Sequence, residues 1–297
     1  MKNEQWATIE KITIVGGTHG NEYLGPYFIQ KVEQASLYQD NSLEVSTLLA
    51  NPEAFAMGQR FIHNDLNRSF TREILTSTNN DHEYQRAREI NQLFSPEELE
   101  HHFIIDLHSS TANMGITLIV RNDQPFNLHA ASYVQQNIPE ARILVSDVDR
   151  EQSQSLNSIS KFGLALEIGP LANAVIRHDL FQTTEKVVSL LIKFMTLCKT
   201  RQEPRLHEEV QAFQVRERVP YPRDDNDKLT AMVHKDLQDR DYRLLEAGHP
   251  IFETFGEESV PYEGEPGYAV FINEAAYYRE DVAFMVADKV TLPLKAP

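Results

Sequence analysis

Two histidines and a glutamate carry the sharpest chemical signal in the chain. His19 and Glu22 lie in GGTHGNE at 16–22, and His108 lies in DLH at 106–108. Neutral imidazole and carboxylate are good zinc donors, and a catalytic zinc ion takes three protein ligands and keeps another position open. His19 and Glu22 would supply two of the three. His108 is the best candidate for the third, with Asp106 placed to orient an imidazole from behind. Taken singly, His19 reads as a residue of a glycine-rich turn and His108 as a histidine satisfying a hydrogen bond. Of the eleven histidines the other nine lack this context, and His101 and His102 read as solvated.

A zinc hydrolase also needs a base for the attacking water and a positive group for the developing oxyanion. Glu167 stands in GLALEIGP at 163–170, an otherwise apolar run. Burying a carboxylate is costly unless it is paired or used. Desolvation also raises its pKa toward the range of a base working near neutrality. The competing reading is a glutamate at a strand end facing solvent. Positive charge comes from RFIHNDLNR at 60–68, where Arg60 and Arg68 offer forks for a carboxylate and Asn67 an amide donor. Arginine–aspartate pairs on loops are more often surface salt bridges, so this segment alone is a weak signal.

These side chains need a frame. Residues 11–17, 43–50, 103–107, 115–120, 141–146 and 162–168 read as strands, and 22–32, 82–94, 126–137 and 179–199 as helices. The alternation predicts a mostly parallel or mixed sheet covered on both faces, with His19, Glu22 and His108 at strand ends, where such folds place ligands. The charged stretch KTRQEPRLHEE at 199–209 reads as a linker. Beyond it short strands at 210–215, 251–255, 268–272 and 290–294 dominate, punctuated by glycines. The expected organisation is an α/β zinc-dependent hydrolase domain over 1–203 and a small β-rich C-terminal domain over 204–297.

The chain has 297 residues, 41% hydrophobic and 24% charged, an ordinary globular composition with material for a sizeable core. Its 28 basic and 44 acidic residues leave a net charge of -16, which argues against nucleic-acid or anionic-membrane partners. An anionic small-molecule substrate would need a local arginine cluster. Cys198 is the single cysteine, which excludes an intramolecular disulfide and fits a reduced compartment. The N-terminal MKNEQWATIEK lacks the apolar core of a signal peptide, and the apolar stretch 187–198, interrupted by Lys193, reads as a buried helix. A cytoplasmic location is expected.

GGTHGNE, DLNR at 65–68, DLHSSTANMG at 106–115, LEIGP at 166–170 and NEAAYY at 273–278 resemble the aspartoacylase/succinylglutamate desuccinylase family of carboxypeptidase-like zinc hydrolases, in its aspartoacylase subfamily. YPRDDND at 221–227 and LQDRDYRLLEAGHPIF at 237–252 extend the likeness along nearly the whole chain in the same order. The resemblance implies a carboxypeptidase-like α/β domain with a mixed sheet, then a β-rich domain that narrows the active-site entrance. His19, Glu22 and His108 match the ligands of one zinc ion per chain. Glu167 matches the catalytic glutamate, which activates the attacking water and later protonates the leaving amine. Arg60 matches the arginine that polarises the scissile carbonyl, Asn67 and Arg68 match residues that grip the substrate carboxylate, and Tyr277 matches a tyrosine brought to the site by the C-terminal domain. A homodimer is also compatible with the resemblance.

The implied reaction is hydrolysis of a small N-acyl amino acid, N-acetyl-L-aspartate and water giving acetate and L-aspartate. One departure bears on this. In aspartate-specific members the stretch before the catalytic glutamate carries a tyrosine and an arginine that hold the anionic substrate. Ungapped alignment back from Glu167 puts Ser153 and Asn157 there. Losing the arginine removes a charge-assisted contact to a carboxylate, so an aminoacylase for N-acetylated aromatic or other amino acids is the alternative. Arg150 and Lys161 are the candidate substitute cations. A catalytically idle metal-binding protein is a third reading, against which the intact set of ligands, base and arginine speaks.

Overall fold

The structure, a computed structural model, describes residues 9–39, 42–121, 124–146 and 152–294. Apolar, β-branched runs closed by turns form the strands of the first part. They are β1 (Lys11–Gly16), β2 (Glu44–Leu49), β3 (His102–Ser109), β4 (Ile116–Arg121), β5 (Arg142–Ser146) and β6 (Phe162–Ile168). The second part contributes β7 (Glu209–Pro220), β8 (Ala231–Val233), β9 (Arg243–Leu245), β10 (Pro250–Thr254), β11 (Ser259–Pro261), β12 (Gly267–Val270) and β13 (Val282–Pro293).

Among the described residues ten strands form one sheet in the order β2-β1-β3-β6-β4-β5-β7-β13-β12-β9. Strands β2, β1, β3 and β6 run parallel, while β4 is antiparallel to β6 and parallel to β5, so the sheet is mixed. It does not stop at the linker: β5 passes to β7 through Leu144↔Phe213 and Val145↔Gln214. A three-stranded sheet, β11-β10-β8, completes the β-rich C-terminal part, and Phe252 of β10 meets Phe284 of β13 with ring centroids 6.0 Å apart.

Strand alternation sorts the side chains into two faces. Phe103, Ile105 and Leu107 of β3, Leu118 and Val120 of β4, and Leu164, Leu166 and Ile168 of β6 join the main core. The helices Leu24–Gln34, Pro125–Asn137 and His178–Lys199 cover this face, with Phe126 edge-on to Phe103 and close to Phe194. On the other face Val15 and Ile104 pack with Ala87 and Ile90 of the helix His82–Gln92. The second face also carries Asp106, His108, Ala165 and Glu167, and all the chemistry grows from it.

His102 departs from the solvated reading. It opens β3, one residue before the apolar run begins, and is fully buried. Its Nε2 lies 2.8 Å from Thr13 Oγ1 and its ring stands edge-on to Phe94. Burial pushes its pKa down to about 4, so the ring is neutral. Strand β13 begins at Val282 rather than near 290, because the run 282–287 after the NEAAYY turn is buried sheet. Cys198 is buried and free in its helix, and no described helix is long and apolar enough to cross a membrane.

Candidate active site

Glycines shape the turn that delivers the first two ligands. Gly16 ends β1, and a Cβ there would lie 2.4 Å from the carbonyl carbon of Gly25, so only glycine lets strand and helix start approach. Gly17 follows at φ +71°, in the left-handed region. The helix begins at Leu24, which leaves His19 and Glu22 in the turn, beside the end of β3. His19, Glu22 and His108 are buried and have ligand atoms within 4.8 Å of one another.

Glu22 sits between the rings. Its Oε1 is 2.6 Å from His19 Nδ1, its Oε2 is 3.0 Å from His108 Nδ1, and Oε2 also accepts Ser109 N–H. A carboxylate stands behind each ring: Asp65 Oδ1 is 3.0 Å from His19 Nε2, and Asp106 Oδ2 is 3.0 Å from His108 Nε2. Asp106 in turn accepts Thr18 Oγ1 at 2.7 Å. With a carboxylate behind each ring, the Nδ1 atoms face Glu22 and are the ones placed to ligate a metal. Three converging N and O donors, buried and oriented from behind, fit one zinc ion. Burial alone would raise the Glu22 carboxyl, but His19 and His108 hold it well below the usual carboxylate range. Burial would lower His108, and Asp106 and Glu22 hold it well above its ordinary value instead.

Asp65 ties the metal end to the arginine loop. It caps the 3-10 turn Leu66–Arg68 by accepting Asn67 N–H at 2.8 Å, and its Oδ2 accepts Arg60 Nε and Nη2 at 3.2 and 3.0 Å. Arg60 Nη1 reaches Glu22 Oε1 at 3.2 Å. Buried Glu83 anchors the loop by accepting the N–H groups of Ile62, His63 and Asn64. Asn67 Oδ1 accepts Leu156 N–H at 2.9 Å, which makes the other end of its amide the donor. Arg68 Nη2 lies 3.4 Å from Glu280, across from the C-terminal part.

The three ligand residues, Arg60, Asn67, Arg68 and Glu167 bound one cavity of about 410 Å³. Glu167 is the register partner of His108 in the β3–β6 ladder. Burial pushes its carboxyl up to about 8, against the opposing pull of His108. Tyr277 enters from the 3-10 turn Ala275–Glu280, its ring against Phe271 at 5.3 Å. Burial and the nearby Glu167 raise its pKa, so the phenol keeps its proton and is a donor. The turn is clamped to the loop after His108: Glu274 accepts Ser110 Oγ in a short hydrogen bond and Ala112 N–H at 3.0 Å, and its other oxygen accepts Ala276 N–H.

The structure therefore brings His19, Glu22, His108, Arg60, Asn67, Arg68, Glu167 and Tyr277 to one cavity, which Ser153 and Asn157 also line. Lys161 is elsewhere, 3.5 Å from Glu100 and over the ring of Phe162. Arg150 lies outside the described residues. Asp65, Glu83 and Glu274 stand outside the set expected from the sequence. Asp65 had a local signal, an aspartate two residues before the N–H it caps; the others depend on distant partners.

A mixed α/β sheet with a buried two-histidine, one-carboxylate centre at its strand ends, followed by a small β-rich part, defines a zinc hydrolase of the carboxypeptidase-like fold. Residues 8–195 match the succinylglutamate desuccinylase/aspartoacylase catalytic domain, and 208–289 the AstE/AspA barrel-sandwich hybrid domain. The chain belongs to the aspartoacylase/succinylglutamate desuccinylase family. It is 38% identical to a probable aspartoacylase of Trichodesmium erythraeum (strain IMS101), over 96% of this chain and 98% of that one. It is also 38% identical to the N-acyl-aromatic-L-amino acid amidohydrolase (carboxylate-forming) of Rattus norvegicus, over 96% and 92%. The crystal structure of murine aminoacylase 3 superposes with a TM-score of 0.89 at 36% identity, covering 98% of each chain. The chain is a zinc-dependent amidohydrolase acting on small N-acyl amino acids.

Proposed function

We propose that the chain is an aminoacylase that hydrolyses N-acetylated L-amino acids, aromatic ones included, to acetate and the free amino acid, without a preference for aspartate. The carrying observation is the cavity itself, which has Glu167 beside the ligand set and is also lined by Ser153 and Asn157, the residues that ungapped alignment sets at the tyrosine and arginine positions of aspartate-specific members. The amidohydrolase of Rattus norvegicus and murine aminoacylase 3 support the same reading.

His19, Glu22 and His108 would hold the zinc ion, which would supply Lewis acidity at the scissile amide. Glu167, with its raised pKa, takes the proton of the attacking water and returns it to the leaving amine. Arg60, fixed by Asp65 and Glu22, places positive charge where the oxyanion develops. The Asn67 amide and the Arg68 fork grip the α-carboxylate. Tyr277 donates its phenolic proton as a further hydrogen bond to the substrate.

A second reading, N-acetyl-L-aspartate as the substrate, draws support from the equally identical probable aspartoacylase of Trichodesmium erythraeum. A side-by-side assay of N-acetyltyrosine, N-acetylaspartate and N-succinylglutamate separates the readings. A kcat/KM for N-acetyltyrosine at least about tenfold above the other two is the expected result. The reverse order favours the second reading, and no turnover of any of them sinks the role of Glu167 and its neighbours.

A further inference from the structure

We propose that a second cavity, on the seam between the two parts of the chain, binds a small aromatic carboxylate. The site goes beyond the hydrolytic reaction and does not depend on which N-acyl amino acid is its substrate.

This cavity measures about 610 Å³, within the range of small-molecule sites. It lies where β5 passes to β7, beside the C-terminal end of the helix Pro125–Asn137, and no residue lines both it and the catalytic cavity. The linker closes one side: His207 N–H donates to Gln136 Oε1 at 3.1 Å, and Gln136 Nε2 to Arg205 O at 3.4 Å. Sheet register separates the two cavities. Arg142, Thr117, Glu167 and His108 form one row across β5, β4, β6 and β3. With neighbouring strands about 4.8 Å apart, the backbone of Arg142 stands roughly 10 Å from that of Glu167. Tyr242 covers the interval: its hydroxyl is 2.7 Å from Thr117 Oγ1, and the Arg142 guanidinium lies over its ring at 5.9 Å.

What faces the cavity is aromatic and cationic. The ring of Phe213 is 4.7 Å from that of Tyr242 and 5.3 Å from that of Tyr268, so three rings make a continuous wall. Phe213 belongs to a buried cluster with Val270 and Met285, against which both tyrosines pack, and this fixes the wall in place. Arg142 donates Nη1 to Glu140 O at 3.0 Å and to Pro139 O at 3.5 Å, which leaves Nε and Nη2 without a partner among the described residues. Lys289 is the register partner of Phe213, and its neighbour Asp288 is taken by Arg216. Neither Arg142 nor Lys289 is ion-paired within the described residues, in a chain whose net charge is -16. Glu209 is the one carboxylate among the lining residues, and it sits four residues along β7 from Phe213. A carboxylate answers these cations, and an aromatic ring answers the wall. A flat ring on a short acidic arm does both, whereas an aliphatic acid or an aromatic amine does only one.

The test is titration calorimetry of phenylacetate into the zinc-loaded full chain carrying Arg68→Gln, a change that weakens carboxylate binding at the catalytic end. Saturable binding with a Kd on the order of 1 mM is expected. Adding Arg142→Gln should weaken it about tenfold, and adding Lys289→Gln instead about threefold. Lys289 is exposed on its strand, so that variant reads the site whether or not Arg142→Gln folds. Phenethylamine keeps the ring and reverses the charge, and cyclohexylacetate keeps the charge without an aromatic ring. Each should bind at least about threefold more weakly than phenylacetate. Absence of saturable phenylacetate binding overturns the proposal, as does a Kd that both Arg142→Gln and Lys289→Gln leave unchanged. Phenethylamine or cyclohexylacetate binding as tightly as phenylacetate overturns it too. None of these outcomes bears on which N-acyl amino acids are hydrolysed, so the substrate assay above stands or fails separately.

Discussion

At the metal end of the cavity each ligand is held from at least two sides, whereas the opposite end is walled by side chains that largely hold one another. His19 has Glu22 on one nitrogen and Asp65 on the other, and His108 has Glu22 and Asp106. Across the cavity Ser153, Ser155 and Asn157 form a chain of hydroxyl and amide contacts within one loop. Chemistry on a bound ion needs donors fixed before the substrate arrives. Choice among substrates can sit on a loop that changes without disturbing the sheet.

Removing the proposed base has the largest expected effect. Glu167→Ala should lower kcat by about 10²- to 10⁴-fold while metal analysis still finds zinc in the protein. Near-normal turnover would break the assignment of the base to this end. The carboxylates behind the rings come next: Asp106→Asn or Asp65→Asn should weaken zinc binding about 10- to 100-fold in a chelator competition. Ser153→Ala at the other end should leave zinc affinity where it was, and equal losses at both ends would erase the contrast.

Glu274 joins the two parts of the chain, and Glu274→Ala removes the acceptor of the buried Ser110 hydroxyl and one of the two acceptors of Ala112 N–H. Urea unfolding should show a loss of about 2–3 kcal/mol, with a raised KM as Tyr277 loses its fixed place. Unchanged stability would mean that the clamp is dispensable. The smallest effect concerns pH. Burial raises Glu167 from 4.5 to about 8, so the folded protein favours its protonated form. That contribution to stability is full below the unfolded value and is lost as pH rises through about 8. In zinc-free protein, Glu167→Gln should therefore gain stability over wild type between about pH 5 and pH 9, visible as a Tm difference of a few degrees that widens with pH. A Tm difference flat across that range would contradict a buried, proton-holding carboxyl.

The metal end was the more legible in the sequence for a physical reason. His19, Glu22, His108 and Glu167 sit at or near the ends of short apolar runs, and Gly16-Gly17 and Gly169-Pro170 mark where two of those runs stop. The order of strands and helices in the first part, and the change of character after the linker, follow from the same local patterns. What was not legible depends on register and on partners far along the chain. His102 looks polar beside His101, yet it is buried with its Nε2 against Thr13 across the sheet. Arg121 ends an ordinary strand run, and only its place two residues beyond Ile119, opposite Ala165, puts it on the catalytic face. Glu274 lay inside a quoted motif, but its partners are on the loop after His108.

The central claim is that hydrolysis depends on one ion held by His19, Glu22 and His108. It is tested most directly by stripping metal with a chelator, adding zinc back in steps, and following both bound zinc and turnover of the best N-acyl amino acid. The prediction is negligible turnover without metal, a rise that levels at one zinc per chain, and neither zinc retention nor recovery in His108→Ala. Full turnover by the metal-free protein, or by His108→Ala, would contradict the account.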